Sequence, residues 1–592
     1  MSQEILIGLG VIILFGMIAQ WMAWRLHLPA ILLLLVLGFV AGPVSGLVNT
    51  EKLFGNLFFP FVSLSVSIIL FEGGLSLRFS EFRNVGKTIR NLISVGAIIT
   101  WGIATAAAFY ILGFEFKLAL LFGAILIVTG PTVIIPLLRH VRPKGNLYSI
   151  AKWEGIMIDP VGAIIAVLVF EEIISGGFEQ FTAVSIYGLI KTLILGIGIG
   201  WIGAQTIIFF LKRYWVPDYL HNSAAIMMVI TTFIISNLLQ HESGLLTVTI
   251  LGILLANQNK VSVKHIVEFK ENLRIILIST LFIILAARLK IEDLAQLNLN
   301  TILFLAVLIF IARPLSVFLS TIGQNLNIKE KIFLSWLAPR GIVAAAVSSV
   351  FAIDLANSGY RDAEKLIPLT FIVIIVSVTL YGLSAVPLAR LLNLSDQNPQ
   401  GVLIVGAHDW ARQLGLIIKK LGFRVLMVDS NPDNVKSAHD DNLEATTANI
   451  ISEDVIDELD LQGIGKLLAI TSNDEVNALA ALHFKEIFGR AEVYQLPYKK
   501  KDLAEEQRVS RHLRGRCLFN QDMTYEKLDD LFNSRGGIKK LDIKSDKDML
   551  LLNQEKILPL ILIDPQNNLI LYTDEKKQNP VIGMQLIYLP TA

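Results

Sequence analysis

The sequence predicts a polytopic α-helical membrane protein followed by a cytoplasmic α/β domain of the Rossmann type and a small β-rich module. The 592-residue chain is 54% hydrophobic and only 17% charged, whereas about a quarter of the residues in a soluble domain are charged. The charges are unevenly distributed, since 47 lie in residues 1–394 and 54 in the last 198 residues. We therefore predict a transmembrane domain over 1–394, a Rossmann-like domain over 395–500 and a small α+β module over 501–592.

About thirteen apolar stretches in the first part are candidates for crossing roughly 30 Å of hydrocarbon. They lie at about 4–24, 28–48, 55–74, 91–113, 118–138, 149–170, 183–211, 221–240, 244–257, 272–288, 298–320, 332–351 and 366–389. The first stretch has neither a positively charged start nor a small-residue cleavage site, so we do not interpret it as a signal peptide.

The loops between these stretches predict the orientation. Alternate loops contain 17 Lys and Arg on one side and 6 on the other, and the richer side is expected to be cytoplasmic. The protein is then predicted to lie in the inner (plasma) membrane of the cell. Its N-terminus is outside the cell, and its C-terminal domain is in the cytoplasm. Cys517 is the only cysteine and suits a reducing compartment. The net charge of +1 gives no reason to expect nucleic acid as a partner.

Five ionisable residues lie well inside the predicted spans: Glu72, Glu154, Asp159, Arg313 and Arg340. Each charge at mid-bilayer costs at least about 2.5–3.5 kcal/mol. If Glu154 pairs with Arg313, and Glu72 or a helix dipole engages Arg340, then Asp159 remains without a fixed partner. A lone carboxylate holds either one proton or one small monovalent cation, which predicts electroneutral one-for-one exchange. Buried ion pairs that only fix helix packing are the alternative.

Two spans contain helix-breaking residues near their middle. The fifth span contains Val-Thr-Gly-Pro-Thr at 128–132, and the twelfth contains Ala-Pro-Arg-Gly at 338–341. Each is the fifth span of its six-span half, and an odd seventh span inverts one half relative to the other. Broken helices in matching positions of inverted repeats are typical of secondary transporters. A proline kink supported by neighbouring helices is the alternative. The sequence has no GxxxxGK[ST] motif, which disfavours primary active transport.

With these motifs the chain resembles the monovalent cation:proton antiporter-1 family over 1–392. The matching pieces are Phe71-Glu72-Gly73-Gly74, Thr129-Gly130-Pro131, Glu154 to Pro160, Ala312-Arg313 and Pro339-Arg340-Gly341.

The resemblance implies that Asp159 binds the cation and the proton and that Thr129 helps to ligate the ion. It also implies that Glu154 pairs with Arg313. We add Glu72 and Thr132 as candidate cation-site residues and Arg340 as a candidate structural charge. The expected partners are Na⁺ or K⁺, H⁺ and membrane lipid.

Two residues depart from the family pattern. Ile158 replaces the usual Asn before the membrane Asp, and Gly130 replaces the usual Asp of the fifth span. Both changes remove polar ligands. K⁺ gives up its water more easily than Na⁺, so the losses favour K⁺ slightly.

The tail contains a pattern of strand, turn, helix and strand. A short apolar run at 402–405 precedes Gly406, and the acid Asp429 follows 23 residues after that glycine. In Rossmann units the glycines approach a phosphate and the acid binds ribose hydroxyls. Here His408 and Ala411 replace the second and third glycines, so a Rossmann fold without a nucleotide remains an alternative.

Further alternation of strands and helices surrounds Asn473 and Asp474, and the tail resembles the TrkA-N, or regulator-of-K⁺-conductance, domains. That resemblance implies a regulatory adenine nucleotide, namely AMP, ATP or NAD(H), and a homodimer in which two tails meet. No cofactor is expected for transport itself.

Three other functions stay open at this point. A ligand-gated cation channel would need a selectivity filter such as Thr-Val-Gly-Tyr-Gly, which the sequence lacks. A K⁺ efflux system controlled by the tail is the second alternative, and it differs less from an antiporter than a channel does. A membrane-tethered oxidoreductase would need a catalytic acid or base in the tail, and we find none, so the chain is predicted not to be an enzyme.

Overall fold

The computed structural model divides into two compact units, Met1–Ser395 and Asp396–Ala592. The structure describes residues 2–26, 28–141, 143–175, 181–258, 260–261, 263–292, 297–360, 362–395, 399–452, 455, 459, 461, 463–497, 514–534, 538–544, 557–573 and 581–590.

The first unit is helical. Its α-helices are α1 (Ser2–Leu26), α2 (Ala30–Phe39), α3 (Thr50–Phe54), α4 (Phe58–Leu75), α5 (Phe79–Asn91), α6 (Ala97–Tyr110), α7 (Phe116–Ile125), α8 (Pro131–Val141), α9 (Leu147–Ser175), α10 (Phe181–Lys212), α11 (His221–Leu239), α12 (Ser243–Ala256), α13 (Lys264–Ala287), α14 (Leu299–Val307), α15 (Arg313–Ser320), α16 (Ile328–Trp336), α17 (Ile342–Asn357) and α18 (Leu366–Leu391). Short π-helical turns join α5 to α6 and α14 to α15.

Seven helical segments within the described residues are long and apolar enough to cross a membrane. They are Gln3–Leu26, Thr50–Leu75, Val85–Tyr110, Tyr187–Lys212, Asp218–Leu239, Leu299–Ser320 and Ala363–Leu391. Shorter apolar helices include Ser243–Ala256, which covers the short ninth predicted stretch. All thirteen predicted stretches fall on helices of this unit.

Both predicted helix interruptions are present. The fifth predicted span is divided into α7 and α8, and the twelfth into α16 and α17. Pro131 stands at the first position of α8, where the missing proline N–H costs no hydrogen bond. Gly341 forms the N-cap of α17. The breaks lie in buried backbone, where neighbouring groups can satisfy the freed carbonyls and amides.

The second unit contains a six-stranded parallel sheet in the order β3-β2-β1-β4-β5-β6. Its strands are β1 (Gly401–Val405), β2 (Val425–Asp429), β3 (Glu444–Thr447), β4 (Ile464–Ala469), β5 (Val493–Gln495) and β6 (Arg516–Cys517), and its helices are α19 (Asp409–Lys420), α20 (Pro432–Asp440) and α21 (Asp474–Phe488). All five residues of β1 are buried, as expected for a parallel strand covered on both faces. This strand order is that of dinucleotide-binding folds.

The chain after the predicted boundary at residue 500 adds α22 (Tyr525–Ser534) and a second sheet. That sheet is antiparallel, in the order β7-β10-β8-β9, with β7 (Lys539–Asp542), β8 (Ile557–Ile563), β9 (Leu569–Leu571) and β10 (Gln585–Pro590). The strand β6 of the parallel sheet also comes from this segment, and Leu528 and Ile587 share one hydrophobic cluster with Trp410. The boundary at 500 stays a prediction. Among the described residues, one hydrophobic cluster contains residues from both sides of it.

Candidate functional site

Asp159 lies near the middle of α9 and is fully buried, with 0% of its surface exposed. Among the described residues, no group makes a hydrogen bond to either of its carboxylate oxygens. It lines a cavity of about 10 Å³ together with Val66, Ile69, Leu70, Pro131, Thr132, Ile342 and Val343. That is about the space one water-sized sphere needs, so the carboxylate faces room for one small ion.

The two helix breaks touch each other beside this cavity. The amide of Gly130 donates a hydrogen bond to the carbonyl of Pro339, 2.9 Å away. A Cβ atom added to Gly130 would lie 2.5 Å from the Cα of Gly341, and one added to Gly341 would lie 2.3 Å from the Cα of Gly130. Only glycine fits at either position. The absence of the family's aspartate at 130 therefore has a structural reason in this chain.

The helix halves that begin after the breaks contribute their first residues to the cavity around Asp159. Pro131 and Thr132 open α8, Ile342 and Val343 open α17, and all four line the small cavity. A helix N-terminus carries a partial positive charge of roughly half an elementary charge. Two such ends therefore place partial positive charge beside a carboxylate that has no hydrogen-bond partner among the described residues.

The helix halves that end at the breaks are capped by arginines. Arg340 donates hydrogen bonds to the carbonyls of Ile127 (3.2 Å) and Val128 (3.4 Å). Arg313 does the same for Leu334 (3.2 Å) and Leu337 (3.1 Å). Of the two partners expected for Arg340, Glu72 or a helix dipole, the structure therefore places it at the helix end.

Glu154 and Arg313 are brought together as predicted from the sequence. Both guanidinium Nη atoms bond the two carboxylate oxygens, with Nη2 to Oε2 at 3.0 Å. Both side chains are about 6% exposed. The guanidinium of Arg313 bonds both oxygens of the Glu154 carboxylate and two backbone carbonyls. These hydrogen bonds offset the free-energy cost of burying the two charges.

Thr129 and Thr132 both have buried hydroxyl groups with no hydrogen-bond partner among the described residues. Thr132 lines the Asp159 cavity, and Thr129 lies in the break three residues earlier. The described residues contain no cluster of three or more His, Cys, Asp or Glu that would hold a metal ion tightly. One carboxylate with hydroxyl groups nearby is instead the chemistry of a weakly held monovalent ion.

Glu72 is not part of this cavity. Its carboxylate lies 3.0 Å from Nη1 of Arg274 on α13, and both side chains line a different small cavity beside Asn222 and Ile266. Its assignment to the cation site stays a prediction that this geometry does not support directly.

Sequence reasoning missed two charged contacts because it counted their basic residues as loop charges. One is Arg274. The other is Lys152, which is buried in α9 two turns before Asp159 and lies 2.6 Å from Glu81. Trp153 also donates to Glu81, at 3.2 Å. The available signal was the seven-residue spacing of Lys152 and Asp159. This spacing places both residues near one face of a helix and so indicates that Lys152 belongs to the span.

A larger cavity of about 580 Å³ approaches the site from another side. Thr132 contributes to the walls of both this cavity and the small one around Asp159. Its other polar lining residues are Gln20, Trp24, Arg25 and Arg274.

In the tail, Gly406 follows β1 with φ +106°, a conformation that favours glycine. Asp429 at the end of β2 accepts hydrogen bonds from the amides of Ala407 (2.7 Å) and Asn431 (2.9 Å) and from Asn434. Ala411 is buried in the first turn of α19.

The other tail residues selected from the sequence have local partners. His408 Nε2 lies 2.9 Å from the carbonyl of Ile470, and burial lowers the pKa of His408 although this hydrogen bond opposes the shift. Asn473 caps α21, whose first turn contains Asp474. The residues present therefore fit the adenosine half of a dinucleotide better than its second half.

Comparisons with known proteins identify the family. The family described as sodium/hydrogen exchanger, transmembrane, matches residues 10–391, and the TrkA-N domain matches 402–504. A K⁺/H⁺ antiporter NhaP of Alkalimonas amylolytica is 27% identical over 399 residues, covering 66% of this chain and 67% of that protein.

Two comparisons concern Methanocaldococcus jannaschii. Its Na⁺/H⁺ antiporter 1 is 26% identical over 378 residues, covering 60% of this chain and 84% of that one. The structure of its sodium proton antiporter MjNhaP1 at pH 8 aligns with a TM-score of 0.58 and 25% identity, covering 65% of this chain and 97% of the other. The family match extends over more than half of the chain, which therefore belongs to the transmembrane sodium/hydrogen exchanger family and carries a TrkA-N domain.

Proposed function

We propose that this protein is a secondary transporter, not an enzyme, which exchanges Na⁺ or K⁺ for H⁺ with Asp159 as the shared binding site. The observation that carries the proposal is the buried Asp159 carboxylate, which lacks a hydrogen-bond partner among the described residues and faces a space for one ion. A cation and a proton cannot both neutralise one carboxylate. Competition for Asp159 therefore couples the two movements.

The surrounding charges favour electroneutral one-for-one exchange. Glu154 is engaged by Arg313 and Glu72 by Arg274, so Asp159 is the intramembrane carboxylate available for titration. One cation in exchange for one proton at this group moves no net charge. We expect a membrane potential imposed at constant ΔpH to leave the rate unchanged.

The ligands proposed for the cation are Asp159, Thr129 and Thr132, with backbone carbonyls of the break. Ile158 packs in an apolar cluster with Ala97 and Ile127, so it adds no polar ligand. Carbonyl and hydroxyl oxygens with a single charge suit a weakly hydrated ion. This favours K⁺ over Na⁺, in line with the sequence argument.

The wider architecture proposed is thirteen crossings arranged as inverted repeats, with the N-terminus outside a cell inner membrane and the tail in the cytoplasm. The larger cavity beside Thr132 would be the cytoplasmic access route. We propose a homodimer whose tails regulate exchange through an adenine nucleotide. Such a nucleotide changes transport only if it prefers one arrangement of the tails.

The test is proton flux in proteoliposomes with Na⁺ and K⁺ added separately to wild type and Asp159→Asn. The variant should retain its melting temperature and lose exchange with both ions. Asp354→Asn, which changes an exposed aspartate on α17, is the matched control and should exchange normally. Wild-type exchange in the Asp159 variant would overturn the assignment.

A further inference from the structure

We propose that the crevice of the tail's parallel sheet accepts an adenine mononucleotide and excludes NAD(H), and that His408 makes this choice. The proposal deepens the regulatory role proposed for the tail and rests on it only for any effect on transport.

The crevice lies where the strand order reverses, between the carboxyl ends of β1 and β4. In this fold a dinucleotide lies across that point, with adenosine on the β1-to-β3 side and its second nucleoside on the β4-to-β6 side. Its pyrophosphate must pass over the turn that begins at Gly406. The side chains of that turn therefore decide how much of a dinucleotide fits.

His408 bridges the two sides of the crevice. It belongs to the turn after β1, and its Nε2 lies 2.9 Å from the carbonyl of Ile470, directly after β4. The ring centroid is 4.7 Å from that of Trp410 and 4.9 Å from that of Tyr525 on α22. Because a ring held on three sides cannot swing away without breaking these contacts, the bridge blocks the passage of a pyrophosphate.

Within the described part of the chain, the β4 side also offers no open helix end to a second phosphate. The Asn473 side chain accepts hydrogen bonds from the amides of Glu475 and Val476, which caps α21. Asn477 is 1% exposed and binds Thr471 through both its carbonyl oxygen and its amide nitrogen. The described residues on this side of the crevice therefore direct their polar groups to one another.

The β1 side retains what a mononucleotide requires. The N-cap residue His408 makes no side-chain cap hydrogen bond to α19, so among the described residues the first amides of this helix are available to a phosphate. Asp429 stands at the end of β2, where ribose hydroxyls bind in this fold. Asp429 accepts two hydrogen bonds from backbone amides and one from a side chain, Asn434 Nδ2, at 2.9 Å. A ribose hydroxyl can take the place of the Asn434 side chain.

The charge around the turn favours a monophosphate. Asp409, Asp429 and Asp529 all act electrostatically on His408, and Arg412 is engaged by Asp409 and Asp441. A monophosphate brings at most about two negative charges to this acidic surrounding, and ATP brings more. AMP is therefore the expected ligand.

The experiment is calorimetric titration of the detergent-solubilised full chain with AMP, ATP, NAD⁺ and NADH. Wild type should bind AMP more tightly than ATP and give no saturable heat with NAD⁺ or NADH. His408→Gly restores the second glycine of the turn and should give saturable binding of NAD⁺ and NADH, which wild type is expected to lack. His408→Ala is the second variant, and both are checked by their melting temperatures. His439→Gly, at an exposed histidine of α20, is the matched control and should behave as wild type.

The proposal is wrong if wild type binds a dinucleotide as tightly as AMP, or if it does not bind AMP. It is also wrong if neither folded His408 variant gains binding of NAD⁺ or NADH. Binding is measured without an ion gradient, so these outcomes are independent of the antiport test at Asp159.

Discussion

The backbone of Gly130 is hydrogen-bonded to the backbone of Pro339 at 2.9 Å, so the two interrupted helices are joined at their breaks. Asp159 lies in the small cavity beside this contact. The geometry of the proposed ion site therefore depends on how closely two glycines, Gly130 and Gly341, approach each other.

Gly130→Ala should lower both stability and exchange, because its Cβ would lie 2.5 Å from the Cα of Gly341. Overpacking of this kind costs about 1–3 kcal/mol. The measurements are the melting temperature and the proton flux in proteoliposomes. Gly102→Ala is the control, since nothing lies within 4 Å of a Cβ at that helical position. Equal melting temperatures and exchange rates for the two variants would mean that the two helix breaks can move apart without loss of stability or exchange.

Glu154 and Arg313 should be strongly coupled in a double-mutant cycle. Removing one partner of a buried pair costs about 3–5 kcal/mol, so Glu154→Gln and Arg313→Gln should each lower the melting temperature markedly. The double variant should lose less than the sum. Arg313→Gln should be the more damaging single change, because it also uncaps Leu334 and Leu337.

The exposed pair Asp362 and Lys365, with nitrogen and oxygen 2.7 Å apart, serves as the control for that cycle. A surface pair contributes only about 0–1 kcal/mol. Strictly additive losses for Glu154 and Arg313 would remove the proposed structural pair.

Glu72→Gln should lower stability and leave the apparent cation affinity unchanged, because its carboxylate is bonded to Arg274 and lies outside the Asp159 cavity. The measurement is the initial exchange rate as a function of cation concentration, together with a melting curve. Reverting the charge imbalance with Glu72→Gln/Arg274→Gln should recover part of the lost stability. A variant that melts normally but binds the cation weakly would instead support Glu72 as a ligand.

The tail should become less stable as the pH falls below about 6.5. Burial lowers the pKa of His408, so the folded tail binds this proton more weakly than the unfolded chain does. The stability that the neutral imidazole contributes is complete above the unfolded pKa and is lost as the pH falls below it.

Hydrogen exchange of peptides from 402–420 in the full chain, corrected for intrinsic rates, would measure this loss. His408→Gln should flatten the pH dependence, and His439→Gln should not, because His439 is exposed. Identical pH profiles for wild type and His408→Gln would refute the role of His408.

The sequence was sufficient to predict both helix breaks, since proline removes a backbone donor and glycine frees the backbone wherever they fall in an apolar span. It also predicted the contact of Glu154 with Arg313. It did not predict the contact of Glu72 with Arg274, because Arg274 was counted with the loop charges, whereas α13 carries it inside the helical unit. Only the tertiary fold brings these two residues together from positions about 200 apart in the chain.

The tail shows the same division. The strands β1 and β2 and the acid Asp429 follow from local pattern. The strand β6 does not, because its two residues, Arg516 and Cys517, are too few to show any periodicity. Likewise, the sequence showed that His408 replaces the second glycine of the turn, but the contact of His408 with Ile470 depends on the parallel pairing of β1 with β4.

The arginine caps at the two breaks leave the positive ends of α8 and α17 as the counter-charge of Asp159. That counter-charge is built from peptide groups, so no single side-chain replacement can delete it. An ionised Asp159 would therefore keep this support when neighbouring side chains change, as long as both helices remain interrupted. A change that closes either break should remove this support, because its peptide groups would then belong to a continuous helix.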